Sequence, residues 1–385
     1  MPDYASLDLN LSRAADGGYA LEFVFSQPGS DAEARLLGAQ PVKAALDLNA
    51  LRVLLLDPAA YGHALAGQLF ADPRARTAFV QARAAAGALP LRLRFQAAPG
   101  AGELHGLAWE LLLDPQDSAP LATQEKIVFS RVLASSDSRP VTTPARGDLR
   151  ALLAVASPSN LPDYNLARLD QAAELDRIQA ELGEIETQSA SGPGQPPATL
   201  EHLLDELQNG YDLFYLVCHG RSAVADYFLF LEDGQGMVNP TPGKALVQGL
   251  RGLAHPPRLV VMAACESAAS DAQGVMFAAR LAEAGIPAAL AMQTKVSLPT
   301  MAGFMPVFFR ELMADGQIDR AAAVARRAVS ARPDFWAPVL LTCLRSGRLW
   351  QDPEPEKQAG KYNVAVQNSK GVIVGDNANV TMNFD

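Results

Sequence analysis

The sequence predicts an α/β fold in which helices cover both faces of a mostly parallel β-sheet. Short continuous apolar runs occur at Leu149–Ala156, Leu213–Gly220, Leu259–Ser267 and Pro287–Met292, and stretches with helical spacing separate them. Continuous apolar runs of this length are typical of strands that are buried on both faces. Strands that alternate with helices indicate βαβ units, and such units produce a parallel sheet.

The first part of the chain has a different pattern. Leu7–Leu11 and Tyr19–Phe25 alternate apolar and polar residues around the turn Asp16–Gly18, which predicts a β-hairpin with one buried face. The Ala- and Leu-rich segments 42–56 and 58–88 predict helices, with a break near Asp72 and Pro73. The first part therefore adds a hairpin and two helical segments to the sheet.

The rest of the chain follows from the same periodicities. Strands are predicted from residue 90 to 95, at 127–132, 185–190, 227–232 and 339–344, and helices at 163–183, 241–253, 270–285, 299–314 and 317–331. Thr199 is a predicted cap of a further helix that carries Leu200, Leu203 and Leu207. Residues 133–148 are rich in Ser, Thr, Pro and Arg and are predicted to be a linker between two halves.

Composition excludes several classes of protein. The chain has 385 residues, 49% of them apolar, and a formal net charge of −10, which argues against a nucleic-acid-binding protein. Three cysteines without a CxxC pair indicate neither a disulfide framework nor a zinc site, so no metal and no cofactor are expected. No signal peptide and no run of about 18 apolar residues is present, and we therefore expect a cytoplasmic protein without a membrane span.

Two of the predicted strands end in residues that can react. His219 follows the run from Leu213, and Cys265 follows the run from Leu259, 46 residues later. Parallel sheets place catalytic groups at the carboxyl ends of their strands, so an imidazole and a thiol are predicted to lie together. A histidine can take the proton of a cysteine and produce a thiolate nucleophile, with the backbone amides of Gly220 and Cys265 as an oxyanion hole.

Each of these residues also has a structural interpretation. A cysteine on a buried strand can be an inert apolar residue, and a histidine at a strand end can be a hydrogen-bonded structural residue. Cys218 is predicted to face the opposite side of its strand from His219 and to be a core residue, as is Cys343. Trp109 and Glu110 are interpreted as a packing residue beside a surface charge. No role is predicted for the remaining residues of this kind, which are Arg131, His63, His105, His202 and His255.

The residues around the pair resemble a known family. His219-Gly220 and Ala264-Cys265-Glu266-Ser267 look like the motifs of CHAT domains, which are caspase-like cysteine peptidases related to separases. The stretch 107–112 is similar to the family's Pro-Trp-Glu region, although Ala108 replaces the proline, and the resemblance covers roughly residues 1–350. It implies a caspase-like three-layer α/β/α sandwich with a non-catalytic half at 1–147 and a catalytic half at 148–350.

The substrate specificity is harder to predict from the sequence than the pair of His219 and Cys265. Many relatives have an acidic residue in the loop that corresponds to Ser297-Leu298-Pro299, and this sequence has none there. The candidate substrate-binding residues near the cleft are Glu266, Asp271, Gln293 and Thr294.

The C-terminal segment is different in kind. A charged, Pro-containing linker at 351–360 precedes residues 361–385, which are β-branched, Asn-rich and nearly uncharged. Such segments can stack in register with copies of themselves. The segment resembles amyloid signalling motifs that are similar to the RHIM motif, and the predicted assembly residues are Val372, Ile373, Val374, Gly375, Asn377 and Asn379.

The function expected from the sequence is that of a cysteine endopeptidase acting as an effector in bacterial immune or cell-death signalling. The resemblance implies that the tail self-assembles and pairs with a sensor that carries a matching motif, such as an oligomerising ATPase. It also implies that the substrate is a protein, such as a pore-forming effector. A catalytically silent caspase-like scaffold recruited through the tail is the alternative. A thiol acyltransferase is a third possibility that the pair alone leaves open.

Overall fold

The computed structural model describes residues 4–38, 40–133, 135, 137–223, 226–263 and 273–352. The tail 361–385, including all of its predicted assembly residues, lies outside the described residues, as do Cys265, Glu266 and Asp271.

The described residues of the N-terminal half form a hairpin, four further strands and three α-helices. Its elements in chain order are β1 (Ala5–Arg13), β2 (Tyr19–Ser26), β3 (Glu33–Arg35), β4 (Val42–Ala44), α1 (Leu48–Val53), α2 (Pro58–Leu69), α3 (Pro73–Ala86), β5 (Leu91–Ala97) and β6 (Ile127–Val132). The helices begin where the sequence provides caps. Asp57 and Asp72 accept hydrogen bonds from backbone amides of the first turn, and a proline occupies the first helical position after each of them.

The C-terminal half alternates strands and helices. Its elements are β7 (Arg150–Val155), α4 (Gln171–Leu182), β8 (Glu186–Ser189), α5 (Leu200–Leu207), β9 (Leu213–Val217), β10 (His219–Ala223), β11 (Asp226–Glu232), β12 (Val238–Pro242), α6 (Gly243–Gly252), β13 (Leu259–Met262), α7 (Gln273–Glu283), β14 (Ala288–Met292), α8 (Leu298–Asp315), α9 (Ile318–Ala328) and β15 (Pro338–Thr342).

One sheet, with twelve strands among the described residues, runs through both halves. Its order is β3-β2-β1-β5-β6-β15-β14-β13-β9-β7-β8, with β4 paired to β2, and β10, β11 and β12 form a separate small sheet. The strands β14, β13, β9, β7 and β8 are parallel to one another, whereas β15 is antiparallel to β14 and parallel to β6. The strands β7, β9, β13 and β14 therefore end at one edge of the sheet, which we call the catalytic edge because the predicted pair of His219 and Cys265 follows β9 and β13 in the sequence.

The sheet of the C-terminal half is buried on both faces. Tyr215 and Val261 pack with α4, α8 and α9, whereas their neighbours Phe214 and Val260 pack with α5, α6 and α7. This alternation explains the continuous apolar runs in the sequence, because every residue of such a strand faces a layer of helices. The predicted three-layer α/β fold with a mostly parallel sheet is confirmed.

Several sequence-based boundaries were wrong. Residues 42–44 form a strand instead of the start of a helix, because Val42 and Ala44 pair with β2 and bury their side chains. The helix predicted from residue 163 begins at Gln171, where the side chain of Asp170 provides the cap. The strands β10 and β12 were not predicted. Among the described residues, no helix is long and apolar enough to cross a membrane.

Candidate active site

His219 lies where the sequence places it, at the catalytic edge after β9. Its side chain is buried, and its Nε2 lies 2.7 Å from the carbonyl oxygen of Ala167. A carbonyl can only accept a hydrogen bond, so Nε2 carries a proton. The other ring nitrogen, Nδ1, is buried and has no hydrogen-bond partner among the residues that the structure describes. In the neutral ring Nδ1 is therefore a free proton acceptor.

Ala167 lies in the segment between β7 and α4, and hydrogen bonds hold this segment in place. Ser157 Oγ donates to the carbonyl oxygen of Leu169 over 2.7 Å and accepts from its amide over 3.0 Å. The buried carboxylate of Glu232 accepts the amide of Ser157 over 2.8 Å and the amide of Ala198 over 2.8 Å. These bonds fix the loop that holds the carbonyl of Ala167. Sequence reasoning missed this part of the site, because a backbone carbonyl in a loop leaves no signal in the residue types.

The strand that leads to Cys265 lies directly beside β9. In the parallel pair of β13 and β9, Met262 is opposite Leu216. Cys265 stands three positions after Met262 in the sequence, and His219 stands three positions after Leu216. Cys265 itself lies outside the described residues. The two members of the predicted pair thus follow neighbouring parallel strands at the same register.

Gly220 is packed against an aromatic side chain. A Cβ atom at this position would lie 1.9 Å from Tyr227 Oη and 2.3 Å from its Cζ, so no side chain fits there. The ring of Tyr227 is buried and stacks on Phe277, with 5.6 Å between the ring centroids. The backbone of Gly220 therefore lies against a rigid surface one residue after His219. Tyr227 was another residue without a predicted role.

Of the four candidate substrate-binding residues, two are described. Thr294 is partly exposed after the end of β14. Gln293 is buried, and its amide group is bonded to Glu110 Oε2, to Arg131 Nη2 and to the carbonyl oxygen of Trp336. A substrate-binding role of Gln293 and Thr294 stays a prediction. The interpretation of Glu110 as a surface charge was wrong, because the carboxylate is buried against Arg131.

The two other cysteines belong to the core. Burial raises the pKa of the Cys218 thiol to about 12, and burial, followed by the charge of Glu283, raises that of Cys343 to about 11. Cys218 is in the apolar cluster that covers one face of the sheet, as predicted, and Cys343 is partly buried against the same cluster. In the part of the chain that the structure describes, no group of three or more His, Cys, Asp or Glu residues could hold a metal ion.

Comparisons with known proteins agree with the residue pattern. A family model with the description CHAT domain matches residues 59–345, about three quarters of the chain. No curated protein matches the chain.

Two solved structures are similar at low identity. The complex of RgpB pro- and mature domains from Porphyromonas gingivalis has a TM-score of 0.42 and 12% identity, over 76% of this chain and 72% of that chain. The separase–securin complex of Saccharomyces cerevisiae has a TM-score of 0.39 and 14% identity, over 70% of this chain and 17% of that chain. From the extent of the family match, the chain belongs to the CHAT domain family.

Proposed function

We propose that this chain is a cysteine endopeptidase in which Cys265 is the nucleophile and His219 is the general base. One observation carries the proposal. His219 presents a buried Nδ1 without a partner among the described residues, and Cys265 follows the adjacent parallel strand at the same register. Membership of the CHAT domain family supports the same conclusion.

The tautomer of His219 determines the direction of proton transfer. The carbonyl of Ala167 keeps the proton on Nε2, so Nδ1 accepts the proton of the Cys265 thiol. The thiolate attacks the scissile carbonyl carbon, and the backbone amides of Gly220 and Cys265 donate to the oxyanion. Nδ1 then gives its proton to the leaving amine, and a thioester remains. Water, deprotonated by Nδ1, attacks the thioester, and the acid product and the thiol are released.

Peptide cleavage by the full chain tests this mechanism. We expect a peptide library to be cleaved by the wild type and not by Cys265→Ala. Cleavage that persists in Cys265→Ala would show that another group is the nucleophile. Selective labelling of Cys265 by a thiol-reactive probe distinguishes the enzyme from a catalytically silent scaffold, because a scaffold has no reason to activate this thiol.

The substrate pocket is assigned to the loops that follow β13 and β14. We place Glu266, Asp271, Gln293 and Thr294 there as substrate-binding candidates, since all four follow strands that end at the catalytic edge. A carboxylate in this pocket would favour Lys or Arg in the substrate. A cleavage profile that is unchanged in both Glu266→Gln and Asp271→Asn would remove these two residues from the pocket.

Control of the peptidase is assigned to the tail. Residues 361–385 would assemble with copies of themselves and with a sensor that carries a matching motif, in a bacterial immune or cell-death pathway whose substrate is a protein such as a pore-forming effector. Clustering raises the effective concentration of the chain. Fibril formation by a peptide of residues 361–385 and loss of cellular activity on its deletion are the expected results. A tail-deleted chain with full cellular activity would contradict this role.

A further inference from the structure

A buried polar cluster connects the N-terminal half to Gln293, which directly follows β14. Arg131 is 0% exposed, Glu110 1% and Gln293 6%. The Arg131 guanidinium donates from Nε to Glu110 Oε1 over 3.1 Å, from Nη2 to Glu110 Oε2, and from Nη2 to Gln293 Oε1 over 2.9 Å. Gln293 Nε2 donates to Glu110 Oε2 over 2.9 Å. Each of the three side chains is thus bonded to the other two, and we call this group the carboxyl-edge clamp.

The clamp is held firmly on the side of the N-terminal half. Arg131 Nη1 donates to the carbonyl oxygen of His105 over 2.6 Å. Trp109, which precedes Glu110, stacks on Phe95 with 4.2 Å between the ring centroids, and its Nε1 donates to the carbonyl oxygen of Leu104 over 2.7 Å. The carboxylate and the guanidinium are therefore fixed by β5, β6 and the segment between them before they meet Gln293.

Gln293 connects the clamp to the end of β14, at the catalytic edge. It directly follows β14, and its backbone N–H donates to the carbonyl oxygen of Ala337 over 2.9 Å. In the β13–β14 pair, Ala291 is opposite Met262, and Cys265 comes three residues after Met262. A shift in the end of β14 would thus reach the end of β13.

We propose that Glu110 and Arg131 position the catalytic edge through Gln293, so that the N-terminal half, which carries no member of the Cys–His pair, is a working part of the enzyme. The three residues are positioning residues and touch no reacting atom. The inference rests on the proposed function, since it assigns the clamp to the site of Cys265. For Gln293 it replaces the substrate contact proposed above, because the side chain of Gln293 is buried and bonded to Arg131 and Glu110.

A second cluster of the same chemistry provides a matched control. Arg92 of β5 forms an ion pair with Asp319 over 2.6 Å and donates to Gln317 Oε1 over 2.8 Å, and all three side chains are buried. Gln317 follows the 18-residue helix α8, whose length is about 27 Å. Its backbone forms an isolated antiparallel β-bridge with that of Arg348, which lies beyond the end of β15. Because β15 is antiparallel to β14, Thr342 at the end of β15 is opposite Ala288 at the start of β14, so Gln317 is joined to a segment that leaves the sheet at the edge opposite Gln293.

The pair of variants Gln293→Met and Gln317→Met separates positioning from stability. Each removes one buried amide and keeps the length of the side chain, so both should lower the melting temperature to a similar degree. A small misplacement of catalytic groups lowers the rate strongly. We expect Gln293→Met to lower kcat about 10-fold or more with KM unchanged within about 2-fold, and Gln317→Met to change kcat by less than about 2-fold.

Three results would overturn the proposal. A raised KM at unchanged kcat in Gln293→Met would mean that Gln293 contacts the substrate. Equal losses of kcat in both variants would mean that only stability is involved, and unchanged kinetics would mean that the clamp has no role. Gln293→Asn, which keeps the amide and shortens the side chain by one methylene, should show the same loss of kcat, and it replaces Gln293→Met if that variant does not fold.

Hydrogen exchange tests the clamp without a substrate. Amides of residues 288–296 should exchange about 10-fold faster in Gln293→Met than in the wild type, and their exchange should be unchanged in Gln317→Met. If the wild type, assembled through residues 361–385, cleaves no peptide but these amides respond as expected, the proposed function fails and the clamp stands. If cleavage is normal and the amides exchange alike in all three proteins, the clamp fails and the proposed function stands.

Discussion

Each half of the molecule contains a buried histidine that is followed by a glycine, and the two histidine rings have different neighbours. His105-Gly106 lies between β5 and β6, and His219-Gly220 follows β9. Both rings are buried, and in both the Nδ1 atom has no hydrogen-bond partner among the described residues. Burial and a free ring nitrogen are therefore not what distinguishes a general base.

The difference lies in the neighbours of the two rings. His105 packs edge-on against Phe95, and burial, followed by the positive charge of Arg131, lowers its pKa to about 4. His219 instead donates from Nε2 to the carbonyl of Ala167, at the edge of the sheet where β9 and β13 end together. A histidine that is buried beside a fixed cation is a poor proton acceptor, whereas a carbonyl that accepts from one ring nitrogen leaves the other as the acceptor that the proposed mechanism needs. The two buried rings thus differ in their neighbours, and we expect this difference to separate a general base from a packing residue.

The largest expected effect comes from replacing each histidine in turn. His219→Asn should lower kcat/KM for a cleaved peptide by about 10²–10⁴-fold, because general-base catalysis is lost. His105→Phe should stay within about 5-fold of the wild type, because the carbonyl that binds Arg131 is retained and the new ring fits against Phe95. Steady-state kinetics with one peptide checks both variants. Equal losses in the two would show that the proposed division between the halves is incorrect.

The cysteines allow the same comparison between an active and an inert environment. With pKa values of about 12 and about 11, Cys218 and Cys343 are thiolates in less than about 1 in 1,000 molecules at pH 7.5. We expect iodoacetamide to alkylate Cys265 at least about 100-fold faster than either of them in the native chain, as measured by peptide mapping. The control is Cys265→Ala, which should remain unlabelled until it is unfolded. Alkylation of Cys343 at the rate of Cys265 would contradict this assignment.

Much of the fold could be predicted from the sequence because local patterns carry it. The continuous apolar runs at Leu213–Val217 and Leu259–Met262 gave buried parallel strands, and alternation at Tyr19–Ser26 gave the hairpin. The position of His219 after β9 followed from the same runs. These features depend on a few neighbouring residues, and a periodicity of two or a continuous apolar run identifies them.

The parts that could not be predicted depend on distant contacts. The residues next to Glu110 in the sequence do not indicate that it is buried. Its carboxylate is buried because Arg131 and Gln293, which are distant in the sequence, pack against it. The carbonyl of Ala167 is invisible in a list of residue types, although it determines the tautomer of His219. Nothing local marks residues 42–44 as a strand, because their partner is β2.

The pKa of His105 predicts how stability depends on pH. A free histidine has a pKa near 6.5, so between pH 6.5 and about 4 the unfolded chain binds a proton that the folded chain does not. Stability from this residue is complete above pH 6.5 and falls by about 3 kcal/mol as the pH decreases to about 4. Urea unfolding at several pH values should therefore show a shallower dependence in His105→Phe than in the wild type.

The smallest expected effect concerns Gly220, the glycine that follows His219. In Gly220→Ala the new methyl group would overlap Tyr227 Oη, so the backbone must move away from the ring. Overpacking of this kind costs about 1–3 kcal/mol of unfolding free energy, and peptide cleavage should fall as well because the amide of Gly220 moves. The control Gly252→Ala has open space around the added methyl and should be close to neutral. Combining Gly220→Ala with Tyr227→Leu should cost less stability than the sum of the single changes, because the two side chains no longer collide. Additive losses would mean that the contact with Tyr227 is not what requires glycine here.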